Sequence, residues 1–250
     1  MLSRVDRILA ARRRLASFAD AGAMSRAIGV AYNGGVPAVA AALAALAFLS
    51  VAAAPVAAAQ ATAAPAGDGA SPPLVDVTAL VPDAVLDLRY ATASNVTGRA
   101  LYPAARCLLL RPVAERLAAV ARRLRAAGYR LLLWDCYRPA SAHALLWAAH
   151  PRAGAVADPA RGSHHSRGTA VDVSLADLSG APLGMPTDHD AFGPRARAEA
   201  TEGVPEEARL RRDRLRAAME AEGFVAYARE WWHFAARDSS RHAIRDEALR

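Results

Sequence analysis

The stretch "RPVAERLAAVARRLRAAGYRLLLWDCY", residues 111–137, decides the fold class. Pro112 suits the first turn of a helix, Val113, Leu117, Val120 and Leu124 recur at helical spacing, and Gly128 sits just past the end. A helix is therefore predicted, and "YRLLLWDCY" follows it as a buried strand. Outward from this pair, "ASAHALLWAAH" (140–150) reads as a short helix and "TAVDVSL" (169–175) alternates like a strand. "VPEEARLRRDRLRAAMEAEG" (204–223) is a second long helix, with Pro205 and two glutamates at its start and Gly223 at its stop. "FVAYAREWWHF" (224–234) returns to strand composition. Helices and strands are mixed and the strands are few. The expectation is an α+β fold with a small, mostly antiparallel sheet flanked by helices; a doubly wound sheet would need more regular alternation.

The N-terminal part has a different character. Residues 36–59, "VPAVAAALAALAFLSVAAAPVAAA", carry no charge and end in small residues, with Ala57 and Ala59 placed as an Ala-x-Ala cleavage site. Arginines lie upstream. This is the layout of a secretory signal peptide, preceded here by an extension of about 35 residues, and it predicts cleavage near Ala59. The alternative is a retained membrane anchor, for which alanine is a weak residue. Residues 60–73, "QATAAPAGDGASPP", read as a flexible linker. The expected organisation is an extension and leader at 1–59, a linker at 60–73 and one domain at 74–250. The mature chain is expected to be exported, to the periplasm or cell envelope, without stable membrane insertion.

The formal net charge is +7. Every basic residue among the 31 is an arginine, which points to codon bias, and the arginines are interspersed with acids, as in "EEARLRRDRLRAAMEAEG" (206–223). No nucleic-acid partner is expected. Cys107 and Cys136 are the two cysteines. In an exported chain they are predicted to pair, closing a loop of about 30 residues worth roughly 3–4 kcal/mol; two buried free thiols are the alternative.

Three short segments carry the chemistry. In "GSHHSRGTAVDVSL" (162–175), His165 sits in a loop, Gly168 permits a close approach, and Asp172 lies on the alternating strand between Val171 and Val173. A buried acid there is costly unless it is paired or bound to a cation, and imidazole with carboxylate suits zinc. A hydrogen-bonded strand aspartate beside a solvent-facing histidine fits this segment equally well. "EWWHF" (230–234) offers His233 as a third ligand and Glu230 as a spare carboxylate to accept a proton from water, although taken alone the segment reads better as a core histidine in an aromatic cluster. On a flat strand Glu230 and His233 would face opposite ways, so the hypothesis requires a bend or bulge between them. "WDCYRP" (134–139) places Arg138 directly after a strand, where its guanidinium is suited to stabilising an oxyanion; without the other two segments an ordinary surface arginine before a proline is the better reading.

In this order, "D-x-Y-R-P", "S-x-H-S-R-G-x-A-x-D" and "E-W-W-H" resemble the zinc D-alanyl-D-alanine dipeptidases, which include the enzymes of vancomycin resistance and their wall-recycling relatives within the zinc D,D-peptidases. "LRYATASNVTGRALY" (88–102) and "GMPTDHDAF" (184–192) extend the similarity, from about Val75 to Asp238. The resemblance implies a hedgehog-like D,D-peptidase fold and one zinc ion held by His165, Asp172 and His233. It makes Glu230 the catalytic base and Arg138 the transition-state arginine. It links Asp190 and Tyr90 to the substrate's amino end and Ser163 to its carboxylate. His164 falls on a variable position and is expected to be no ligand. Departures are Cys136 where glycine is common, Val96 and His189 where phenylalanine is usual, and "GPRARAEA" (193–200) in place of a Ser-His pair. Those beside Asp190 bear on substrate preference.

The leading expectation is a secreted zinc dipeptidase acting on the small dipeptide D-Ala-D-Ala in cell-wall peptide metabolism. A D,D- or L,D-carboxypeptidase trimming peptidoglycan stems would need a cleft open at the amine end. A non-catalytic zinc-containing wall-binding module would be expected to lack Glu230 or Arg138.

Overall fold

The computed structural model describes residues 72–151 and 156–250. The expected leader, and nearly all of the linker expected at 60–73, lie outside them. Among the described residues no helix is long and apolar enough to cross a membrane.

The chain forms the expected α+β arrangement. Strand β1 (Leu74–Asp76) pairs antiparallel with β3 (Leu108–Leu110) in a two-stranded ribbon. The main sheet has five strands in the order β2-β4-β5-β7-β6: β2 (Val85–Leu86), β4 (Arg130–Asp135), β5 (Ala170–Ala176), β7 (Glu230–Ala236) and β6 (Phe224–Tyr227). Only the β2–β4 pairing is parallel.

The quoted stretch becomes helix α1 (Arg111–Ala126) followed by β4. All four spaced apolar residues of α1 are buried. The chain leaves the helix through Gly128, whose φ of +86° is the left-handed conformation glycine adopts without cost. The other long helix, α3 (Glu206–Ala221), opens with Glu206 and Glu207 in its first turn. It buries Ala208, Leu215 and Met219 and ends before Gly223 at φ +84°.

Helices α1 and α3 cover one face of the sheet. Val113, Leu117 and Leu124 of α1 join Leu215 and Met219 of α3 against Val171, Val173 and Leu175 of β5 and Phe234 of β7. Each such buried side chain contributes on the order of 1.5–3 kcal/mol. Period-two alternation sends Asp172 and Ser174 to the other face of β5, where both are also buried. That face is walled by a second apolar cluster around helix α2 (Ala140–Ala149), in which Ala142 and Leu146 meet Tyr90, Tyr102, Tyr137 and Leu249. The predicted Cys107–Cys136 disulfide is present, tying the segment before β3 to the end of β4.

Candidate active site

Register across the sheet builds the centre of the site. Asp135 at the end of β4 stands opposite Asp172 of β5, after a register shift between Leu133 and Asp135. Asp172 stands opposite His233 of β7. Three polar residues thus lie in a row across three adjacent strands. His165 reaches the same point from a 3₁₀ turn (His165–Arg167) that precedes β5. Gly168 ends that turn at φ +69°, and a Cβ there would lie 2.6 Å from a methyl of Leu74. The glycine is required for both its backbone sign and its closeness to the β1–β3 ribbon.

The nitrogen and oxygen lone pairs converge. His165 Nε2 is 3.1 Å from His233 Nδ1 and 3.3 Å from Asp172 Oδ1, and His233 Nδ1 is 2.9 Å from the same oxygen. Among the described residues these three form the group able to hold a metal ion. Ligand atoms bonded tetrahedrally at roughly 2.0–2.2 Å stand roughly 3.3–3.6 Å apart, so this triangle is only slightly tighter than a zinc site requires. His165 is oriented from behind: its Nδ1–H donates to the Cys136 carbonyl at 2.7 Å, leaving Nε2 for the site. Such a partner fixes tautomer and ring angle. The disulfide therefore anchors the residue that orients a ligand. His164 faces Ser239 through Nδ1 and takes no part in the triangle.

Electrostatics follow from this packing. Burial pushes the Asp172 carboxyl up. The charge of His165 and the hydrogen bonds from His165, His189 and His233 outweigh it, holding the group well below the usual carboxylate range. Burial also works against charge on His165, yet Asp172 and Asp135 raise it. His233 is lowered, chiefly by burial.

Glu230 and His233 both border the cavity, and the backbone explains how. The β6–β7 register shifts between Ala226 and Tyr227: Ala226 pairs with Phe234, but Tyr227 pairs with Glu230. Trp231, Trp232 and His233 bulge opposite a single step of β6, which breaks the parity that had made the pair problematic. Glu230 is buried, and its Oε1 has no hydrogen-bond partner in the protein. Burial, with Asp172 and Asp190 nearby, pushes its carboxyl up to about 9, while Arg138 pulls the other way.

Arg138 is buried at the end of β4 with its guanidinium 4.8 Å from the centre of the Tyr90 ring and 3.5 Å from Asp135 Oδ2. Burial opposes its charge, and Asp135 more than restores it. Its Nε has no partner. Asp190 has a φ of +56°, the sole non-glycine residue described with a positive value. Such strain is held in place by surroundings and clusters at functional sites. Here Tyr90 Oη donates to Asp190 Oδ2 at 2.8 Å, and Trp231 Nε1 donates to Thr187 at 2.9 Å in the same loop. Ser163 is buried and accepts the backbone N–H of His165.

All eight side chains singled out in the sequence line one cavity of ≈ 570 Å³. Sequence reasoning missed its further walls: Leu146 and Trp147 of α2, Val156, Phe192 and Tyr227. It also gave no role to Asp135, whose Oδ1 accepts from Tyr102 and whose Oδ2 lies 3.3 Å from His165 Nδ1. The signal for Asp135 was a lone acid closing the apolar run "LLLW".

Residues 70–248 match the family Peptidase_M15, described as D-ala-D-ala dipeptidase. A D-alanyl-D-alanine dipeptidase of Escherichia coli is 42% identical over 161 residues, covering 64% of this chain and 83% of that protein. One from Enterococcus faecium is 35% identical, over 61% of this chain and 85% of its own length. One from Streptomyces coelicolor is 33% identical over the same shares. With the match spanning nearly every described residue and these relatives aligned over most of their length, the chain belongs to the Peptidase_M15 family of D-Ala-D-Ala dipeptidases.

Proposed function

We propose that the chain is a zinc-dependent dipeptidase that hydrolyses D-Ala-D-Ala to two molecules of D-alanine in cell-wall peptide metabolism, with one ion per chain. The observation that carries this reading is a buried triangle of His165, Asp172 and His233 beside the unpartnered carboxyl oxygen of Glu230 in a single cavity. Two imidazole nitrogens and a carboxylate oxygen form a donor set suited to zinc, and three protein ligands leave a fourth position open. Bound there, zinc would supply Lewis acidity to the scissile carbonyl and to water.

The chain's own residues divide the remaining work. Asp190, with Tyr90 Oη on it, receives the substrate's ammonium group. Ser163 lies toward the carboxylate end. Both ends of a dipeptide are then recognised at once, which aligns the peptide bond within the cavity. The positive charge of a bound ion would favour the ionised Glu230 carboxyl over the protonated form that the metal-free site prefers; as a carboxylate, Glu230 takes a proton from the attacking water as the water oxygen bonds to the carbonyl carbon. Arg138, fixed by Asp135 and Tyr90, stabilises the negative charge that develops on the carbonyl oxygen. Glu230 then passes its proton to the amine as the C–N bond breaks.

The Cys107–Cys136 bond favours an oxidising compartment, and with the leader at 36–59 it supports export to the cell envelope. The amine-end assignment is tested by comparing D-Ala-D-Ala with its N-acetyl form. Hydrolysis is expected for the free dipeptide alone; equal rates on both would remove Asp190 from amine recognition.

A further inference from the structure

His189 stands where two parts of the site meet. Its ring is buried among aromatics, with centroids 5.3 Å from Trp134, 5.8 Å from Trp232 and 5.7 Å from Tyr90. A ring in such a cage is held in one orientation. Its Nε2 is 3.1 Å from Asp172 Oδ2, the oxygen that does not face His165 and His233. A carboxylate only accepts, so Nε2–H is the donor. Its Nδ1 lies 3.6 Å from Asp190 Oδ2, the same oxygen that accepts from Tyr90. A continuous row of contacts therefore runs from Asp172 through His189 to Asp190 and Tyr90.

We propose that His189 is a positioning residue that occupies the outer oxygen of Asp172, so that the metal receives Oδ1 alone. The inference rests on the zinc-dipeptidase reading above. Without a donor at Oδ2, the Asp172 carboxylate is free to rotate, and a partner behind a ligand typically accounts for 10–100-fold in metal affinity or activity. A merely space-filling role predicts that any aromatic ring in the cage would serve.

The test uses zinc-loaded wild-type protein, His189→Phe, which keeps a ring in the cage, and His189→Gln, whose amide N–H can replace Nε2–H. Zinc retention is read by titration with a chelator, kcat and KM are read on D-Ala-D-Ala, and circular dichroism checks the fold. Phe is expected to lose zinc at chelator concentrations about 10–100-fold lower than wild type. Gln is expected to recover zinc retention, because its amide N–H takes the place of Nε2–H at Asp172 Oδ2. If the wild type holds zinc and hydrolyses the dipeptide while Phe matches it in both readouts, this inference alone is overturned. If Phe and Gln, both folded, lose zinc equally, hydrogen bonding to Asp172 is not the cause and the inference also falls. A wild type that neither retains zinc nor cleaves the dipeptide overturns the underlying reading and this one together.

Discussion

Nε2 of His165 lies 3.1 Å from Nδ1 of His233, and Asp172 Oδ1 is within 3.3 Å of both. Three lone-pair atoms buried this close repel one another unless a proton or a cation lies among them. The strands hold them there regardless, since Asp172 and His233 are direct cross-strand partners. Substituting any of the three by alanine should abolish tight zinc binding and lower D-alanine release by more than about 100-fold, beyond what the loss of a supporting partner costs. Metal content after dialysis and initial rates check this.

Arg138 should act on the rate more than on binding. Loss of one oxyanion donor typically costs roughly 10²–10³ in kcat. Arg138→Lys keeps a charge but not the planar fork that reaches both the Tyr90 face and Asp135. It should lower kcat strongly while KM moves little. A fall confined to KM would reassign Arg138 to substrate binding.

The metal-free protein should lose stability as pH rises. The Glu230 carboxyl is pushed up to about 9 from an ordinary value of 4.5. A group raised in the folded state contributes stability that is complete below its unfolded value and is lost as pH climbs through the folded one. The loss should run from about pH 4.5 to 9 and amount to a few kcal/mol. Glu230→Gln removes this titration. Urea denaturation at pH 5 and pH 8, both metal-free, should show the variant gaining on the wild type at the higher pH.

The disulfide should matter twice. It joins residues 29 apart, and opening it should cost about 3–4 kcal/mol. It also anchors Cys136, whose carbonyl orients His165. Replacing both cysteines by serine should therefore lower the melting temperature and weaken zinc retention. A fall in melting temperature with zinc retention unchanged would confine the bond to a structural role.

Much of this was legible in the sequence because it is local. The stripe Val113, Leu117, Val120, Leu124 specifies α1, and the alternation around Asp172 specifies a strand with one polar face. The motif segments carried all eight residues that the cavity gathers. What was not legible is tertiary. Parity alone set Glu230 against His233, and only the β6–β7 register shows the bulge that resolves it. Asp135 gained its place from strand pairing with Asp172. His189 stood out in the sequence merely as an unusual residue beside Asp190; its bond to Asp172 closes a loop of 17 residues that no periodicity describes.

The central claim is tested most directly by D-alanine release from purified, zinc-loaded protein offered D-Ala-D-Ala and a muramyl pentapeptide in parallel, with Glu230→Ala as control. The account predicts cleavage of the dipeptide alone, lost in the variant. Cleavage of the pentapeptide would contradict a pocket closed at the amine end, and silence on both substrates would contradict the dipeptidase reading itself.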